Sequence, residues 1–194
     1  LLPSIEKVAP PKHHASMPYS DISGFVSELY EEPNISSKAL IFLILTASRT
    51  NEIIKATWQE IDFETRSWKI PANRMKSNKE PRVPLSPSAI KVLHEIWDKG
   101  ASGFIFCNKH TTKSLSNMAM LNILRRRNLS LTVHGFRSTF RTWAAEKTTV
   151  QSDVAEAALA HTVGSKVVAA YQRGDLFEKR RKLMDEWAKF ISQA

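Results

Sequence analysis

Six residues spread along the chain are of the types that phosphate chemistry needs. They are Arg49 in TASRTNEI, Lys76 in MKSNKE, His134 and Arg137 in TVHGFRSTFR, and His161 and Tyr171 in LAHTVGSKVVAAYQR. Three of them have a simpler use: an arginine between buried segments caps helix carbonyls and pairs with Glu52, a hairpin lysine is solvated, and a helical tyrosine packs. Together they can hold one phosphodiester and attack it. Arg49 and Arg137 present planar forks of donors that clamp the non-bridging oxygens. His134 takes the phenolic proton of Tyr171 as a general base. Free tyrosine has a pKa of about 10, so neighbouring cations that favour phenolate assist the attack. Lys76 protonates the departing oxygen, and His161 hydrogen-bonds a non-bridging one. Side chains supply the positive charge, so this scheme requires no metal and no other cofactor. The sequence also lacks the Asp and Glu cluster of a two-metal nuclease.

The elements that must position these groups follow from periodicity and capping. Residues 1–17, with three prolines and no apolar period, read as a lead-in or linker. A helix carries Ile22, Phe25, Val26 and Leu29 on one face, and Ser36 or Ser37 starts a second through the apolar run Ala39–Ala47. Arg49 lies just beyond it, and Thr50 or Asn51 caps a short helix Glu52–Ala56. From Trp58 the period shifts towards two. Trp58–Phe63, Ser67–Ile70 and Arg82–Leu85 are predicted as three antiparallel strands, with Lys76 in the second connection. A helix Ala89–Trp97 follows Pro87, and Phe104–Phe106 is extended. Ser116 caps a helix through Arg127, whose terminal Arg125, Arg126 and Arg127 suit the helix dipole and are candidates for contact with a DNA backbone. His134 and Arg137, three apart, share a helix start, with Phe136, Phe140 and Trp143 on the other side. Ser152 or Asp153 caps a helix ending near His161. An amphipathic helix closes the chain over Asp175–Gln193, either folding back on its own domain or docking on a neighbouring copy.

The totals narrow the partner. At 194 residues, 42% hydrophobic and 24% charged, the chain has the makings of one packed domain. A net charge of +9 and a pI near 9.8 favour a polyanion, with nucleic acid ahead of an acidic membrane surface. No window is long and apolar enough to span a bilayer. The lone Cys107 excludes an internal disulfide and suits a reducing cytoplasm. The absence of an initiating Met points to a piece of a longer protein.

TASRTNE, MKSNKEPRVPLS, HGFR, LAH and AAYQR, in this order and spacing, resemble the catalytic domain of tyrosine recombinases, the phage-integrase family, over Pro18–Ala194. LAH followed by AAYQRGD is similar to the form found in bacterial prophage and genomic-island integrases. The resemblance implies a mainly α fold with a small antiparallel β-sheet. It implies a catalytic set of Arg49, Lys76, His134, Arg137, His161 and the nucleophile Tyr171, supported by Glu52, with Arg173 a further candidate for DNA contact. It also implies cleavage of double-stranded DNA at attachment sites through a 3′-phosphotyrosyl intermediate and a free 5′-hydroxyl, then rejoining, without metal or ATP. In the full-length protein it implies a tetramer on DNA with accessory DNA-bending proteins, preceded by an N-terminal DNA-binding domain. This piece alone is expected to be monomeric and to bind weakly, in the bacterial cytoplasm. Two other readings share parts of the pattern: a type IB topoisomerase-like relaxing enzyme, and a non-catalytic DNA-binding regulator derived from an integrase.

Overall fold

The computed structural model describes residues 15–74, 80–98, 103–108, 112–161 and 175–193. Its centre is α2 (Ile35–Thr46), in which every residue from Ala39 to Leu45 is buried. A helix apolar on all sides has to be surrounded. Around it lie α1 (Ile22–Tyr30), α4 (Pro87–Ile96), α5 (Ala119–Arg126), α6 (Gly135–Lys147) and α8 (Phe177–Ile191). The short helices α3 (Thr50–Ile54) and α7 (Ser152–Ala158) complete the set among the described residues. A three-stranded antiparallel sheet in the order β1 (Ile61–Asp62), β2 (Ser67–Lys69), β3 (Arg82–Pro84) stands at one side, with Trp68 opposite both Ile61 and Val83. The architecture is mainly α with a small antiparallel sheet. No helix among the described residues is long and apolar enough to cross a membrane.

Several boundaries differ from the sequence reading, each for a local reason. The second helix starts at Ile35, because Asn34 is its cap and accepts from the Ser37 backbone N–H at 2.8 Å. The short third helix starts at Thr50, with Arg49 in the capping position. The predicted strand Trp58–Phe63 is a 3-10 turn over Trp58–Glu60 followed by only two strand residues. There the Trp58 backbone N–H donates to Gly103 O at 3.1 Å, and Glu60 turns back to accept from Trp68 Nε1 at 2.9 Å. The fifth helix begins at Ala119 instead of beside Ser116. Ser152 is the first residue of α7, with Gln151 in the cap position, and the Ser152 hydroxyl accepts from Arg141 at 2.9 Å instead of capping. Ala15–Met17, read as part of a linker, lie against α6: Thr139 Oγ1 donates to Met17 O at 2.6 Å, and Met17 is buried.

The closing helix packs in cis. Trp187 is fully buried and its indole N–H donates to Ile44 O of α2 at 2.9 Å. Phe140, Trp143 and Phe190 ring it at centroid distances of 5.6, 4.8 and 5.9 Å. The described helix is therefore spent on its own core and does not offer that face to a neighbouring copy.

Candidate active site

Two helix ends build the site. At the end of α2, Ala47 enters the left-handed region (φ 50°), its N–H bonds Ile44 O, and the Ser48 N–H bonds Leu43 O, both at 3.3 Å. At the end of α7, Ala160 does the same (φ 49°), with Ala160 N–H on Ala157 O and His161 N–H on Glu156 O, both at 3.0 Å. These are paired Schellman closures. Each turns the chain sharply and leaves the carbonyls just beyond it pointing outward at the negative pole of its helix.

Arg137 lies between the two poles. It sits in the first turn of α6, is 3% exposed, and donates from Nη1 to Ala47 O and from Nη2 to Leu159 O, both at 2.5 Å. Its Nε–H is buried and has no hydrogen-bond partner among the described residues. Burial first, and then the charge of Arg49, bring its guanidinium down to about 10, although Glu52 and Glu156 push the other way.

Arg49 reaches the same place from the start of α3. Its Nη2 donates to Leu159 O and Ala160 O at 3.4 and 3.3 Å. Glu52, buried, fixes it twice: one carboxylate oxygen accepts from the Arg49 backbone N–H at 2.8 Å, the other from Nη1 at 2.9 Å. The simple use of Arg49 and the functional one are thus not exclusive. The arginine closes the end of α7 and pairs with Glu52 while its guanidinium stands beside that of Arg137.

His161 completes the cluster, with Nε2 at 3.0 Å from Arg137 Nη2 and Nδ1 at 2.8 Å from Glu156 Oε2. His134, exposed, precedes α6, and its backbone carbonyl accepts from the Arg137 N–H at 3.0 Å. A cleft of about 180 Å³ is lined by His134, Arg137, Ser138, Arg141, Leu159 and His161. Gly135 has a steric reason to be glycine: a Cβ there would lie 2.2 Å from Ala15 O. That carbonyl accepts from the Thr132 N–H at 3.1 Å, and Thr132 Oγ1 in turn accepts from the Gly135 N–H at 3.0 Å. The turn that presents His134 is held in this way.

Four of the six proposed catalytic positions, Arg49, His134, Arg137 and His161, are therefore described, and Arg137 shares the Leu159 carbonyl with Arg49 and contacts the His161 ring. Lys76, Tyr171 and Arg173 lie outside the described residues. Arg74, just before the Lys76 segment, pairs with Glu60 and donates to Lys55 O. Arg125 and Arg126 are exposed, whereas Arg127 pairs with Glu32 at 2.5 Å and with Glu28 at 3.7 Å. Sequence reasoning missed Glu156 and Arg141, which meet at 2.5 Å. Their one signal was the position of Glu156 five residues before His161, across a helix end.

Residues 20–175 match the family model described as "Phage integrase family". Prophage integrase IntA of Escherichia coli strain K12 is 38% identical over 166 residues, covering 83% of this chain and 40% of IntA. The chain thus spans less than half the length of that relative. Among solved structures, an integrase from mycobacterium phage Brujita superposes with a TM-score of 0.66 at 16% identity, covering 98% of this chain and 65% of that one. A lambda integrase dimer bound to a COC′ core site gives 0.61 at 15% identity, covering 81% and 61%. These two structures share the fold, and the family match, over most of the chain and across the arginine and histidine cluster, shows that the chain belongs to the phage integrase family.

Proposed function

We propose that residues 18–194 are the catalytic domain of a site-specific DNA recombinase, an integrase that cleaves and rejoins double-stranded DNA through a covalent 3′-phosphotyrosyl link to Tyr171. The chain ahead of Ala15 leads in from an N-terminal DNA-binding domain, while Ala15–Met17 already belong to the packed domain. The observation that carries this reading is the convergence of Arg49, Arg137 and His161 on the end of α7. Two fixed guanidinium groups and an imidazole beside one cleft suit a single phosphoryl group, whose charge grows in the transition state.

In this reading Tyr171 attacks phosphorus, forms the phosphotyrosyl bond and expels the 5′-oxygen. His134 accepts the phenolic proton and Lys76 delivers one to the leaving oxygen. The covalent link conserves the bond energy, so ligation to a new 5′-hydroxyl needs no ATP or metal. The net charge of +9 supports a DNA partner. The full-length protein works as a tetramer on attachment-site DNA with accessory bending proteins, on bacterial DNA in the cytoplasm, and Arg125, Arg126 and Arg173 contact the backbone.

A nicked suicide duplex that loses the 5′-hydroxyl fragment tests the assignment. The wild-type chain should become covalently attached to the DNA. Tyr171→Phe should keep its fold and DNA affinity and form no adduct. An adduct surviving in Tyr171→Phe would overturn the choice of nucleophile.

A further inference from the structure

We propose that Glu156, buttressed by Arg141, is a positioning residue that holds the proton of His161 on Nδ1 and so makes Nε2 the working nitrogen of the imidazole. This rests on the reading of His161 as a phosphate-site residue. The geometry assigns the tautomer. A guanidinium has donors only, so at 3.0 Å from Arg137 Nη2 the His161 Nε2 must accept with its lone pair. The proton of the neutral ring is then on Nδ1, which donates to Glu156 Oε2 at 2.8 Å.

Glu156 holds the histidine at two points. Its backbone carbonyl accepts the His161 N–H in the Schellman closure of α7, and its carboxylate accepts the ring. Backbone and ring are fixed by one residue. The carboxylate is itself fixed from α6: Arg141 Nε donates to its other oxygen at 2.5 Å, and Arg141 Nη2 donates to Ser152 Oγ. Burial works against ionisation of Glu156, but hydrogen bonds from Arg141 and His161 outweigh it and keep the carboxyl below its usual range. The ring is therefore steered by a carboxylate in the way a triad base is steered by its acid. Without substrate, Nε2 accepts from Arg137. To donate to a phosphate oxygen Nε2 must carry a proton of its own, with Nδ1–H still held by Glu156.

Nitrogen-15 spectra of histidine-labelled full chain, with His161 assigned by its loss in His161→Gln, test this directly. Wild type should show an Nδ1-protonated His161. Glu156→Gln, which keeps an acceptor oxygen without the charge, should retain that tautomer, and Glu156→Ala should lose it. An Nε2-protonated ring in wild type, or an unchanged ring in Glu156→Ala, would overturn the proposal. Adduct formation on the suicide duplex gives the functional arm. Glu156→Ala should slow it about 10–100-fold, the scale of a misplaced group, with Glu156→Gln intermediate. In a His161→Gln background Glu156→Ala should cost nothing further, and an equal loss there would show a merely structural role. If wild type forms no adduct, the recombinase reading fails, while the spectra still decide the role of Glu156.

Discussion

Arg137 Nη2 and His161 Nε2 meet at 3.0 Å across the carbonyl of Leu159, which the same Arg137 nitrogen also binds. One buried arginine thereby joins the start of α6 to the ends of α2 and α7. A charge this deep in a protein is strongly disfavoured unless paired. Here its described partners are carbonyl dipoles at helix ends and a histidine, not a carboxylate in direct contact.

The pH dependence follows from the lowered Arg137 value. An unfolded arginine keeps its proton well above that value, whereas burial brings the folded group down to about 10. Between the folded and unfolded values the unfolded state binds more protons, so this group makes stability rise with pH. Below about 10 both states are charged and the whole burial penalty is present. An oxyanion in the cleft opposes that penalty at neutral pH. Sulfate titrated at constant ionic strength should raise the melting temperature, by the equivalent of about 1.4 kcal/mol at ten times its Kd. Arg49→Met, which removes one arm of the clamp, should lose most of the rise. Equal rises in the two proteins would mean that sulfate acts by general exclusion.

Ala160 occupies a left-handed position where glycine is the usual residue. An alanine Cβ there costs roughly 1–2 kcal/mol, and glycine gives part of that back in chain entropy. Ala160→Gly should therefore stabilise the chain by about 0.5–1 kcal/mol in urea unfolding, provided that His161 stays in register. Destabilisation would show that the Ala160 methyl contributes packing which outweighs its strain.

The sequence made the helices around α2 legible because their apolar spacing is strong, as in Ile22, Phe25, Val26 and Leu29. It placed His134 and Arg137 at one helix start because three residues is nearly a turn. It could not show why Arg49, far away in the chain, reaches the same place. That depends on Ala47 and Ala160 adopting a left-handed backbone, which alanine, unlike glycine or asparagine, does not signal. Glu156 was invisible for a related reason. On a short helix it reads as a solvated face residue, and only the reversal at Ala160 turns His161 back onto it. Trp58–Phe63 misled through its period of two, which suggested a strand, but Trp58 bonds to Gly103 instead of extending the sheet.

The three arginines at the end of α5 should separate in a salt titration. Arg125 and Arg126 are exposed, whereas Arg127 is paired with Glu28 and Glu32 and its guanidinium lies 5.7 Å from the Phe25 ring centroid. Each phosphate contact contributes about −0.9 to the slope of log affinity against log salt. Arg125→Ala with Arg126→Ala should flatten the slope by nearly 2 with little change in stability. Arg127→Ala should leave the slope alone and lower the stability instead. A slope change from Arg127→Ala as large as that from the pair would place the ion-paired arginine on the DNA.

The closing helix provides the last test. Trp187 fills the space between α2 and α6, and its indole N–H satisfies Ile44 O, which also accepts from the Ala47 N–H. Ile44 O lies in the last turn of α2, the same turn whose closure aims Ala47 O at Arg137. Removing the indole thus creates a cavity and loosens the end of the helix on which the arginine depends. Trp187→Ala should cost about 3–5 kcal/mol. Trp187→Phe, which fills much of the volume but cannot donate, should cost less. The two effects separate in the readout: cavity loss lowers the unfolding midpoint alone, whereas a loosened Ala47 carbonyl also slows adduct formation. Trp187→Phe should therefore slow the adduct by more than its modest stability loss suggests, while Phe190→Leu, which touches the same cluster without a hydrogen bond to α2, should not. Should Trp187→Ala leave the midpoint unchanged and abolish only higher-order complexes on DNA, the helix would belong to a neighbouring protomer in solution, and its cis placement would be wrong.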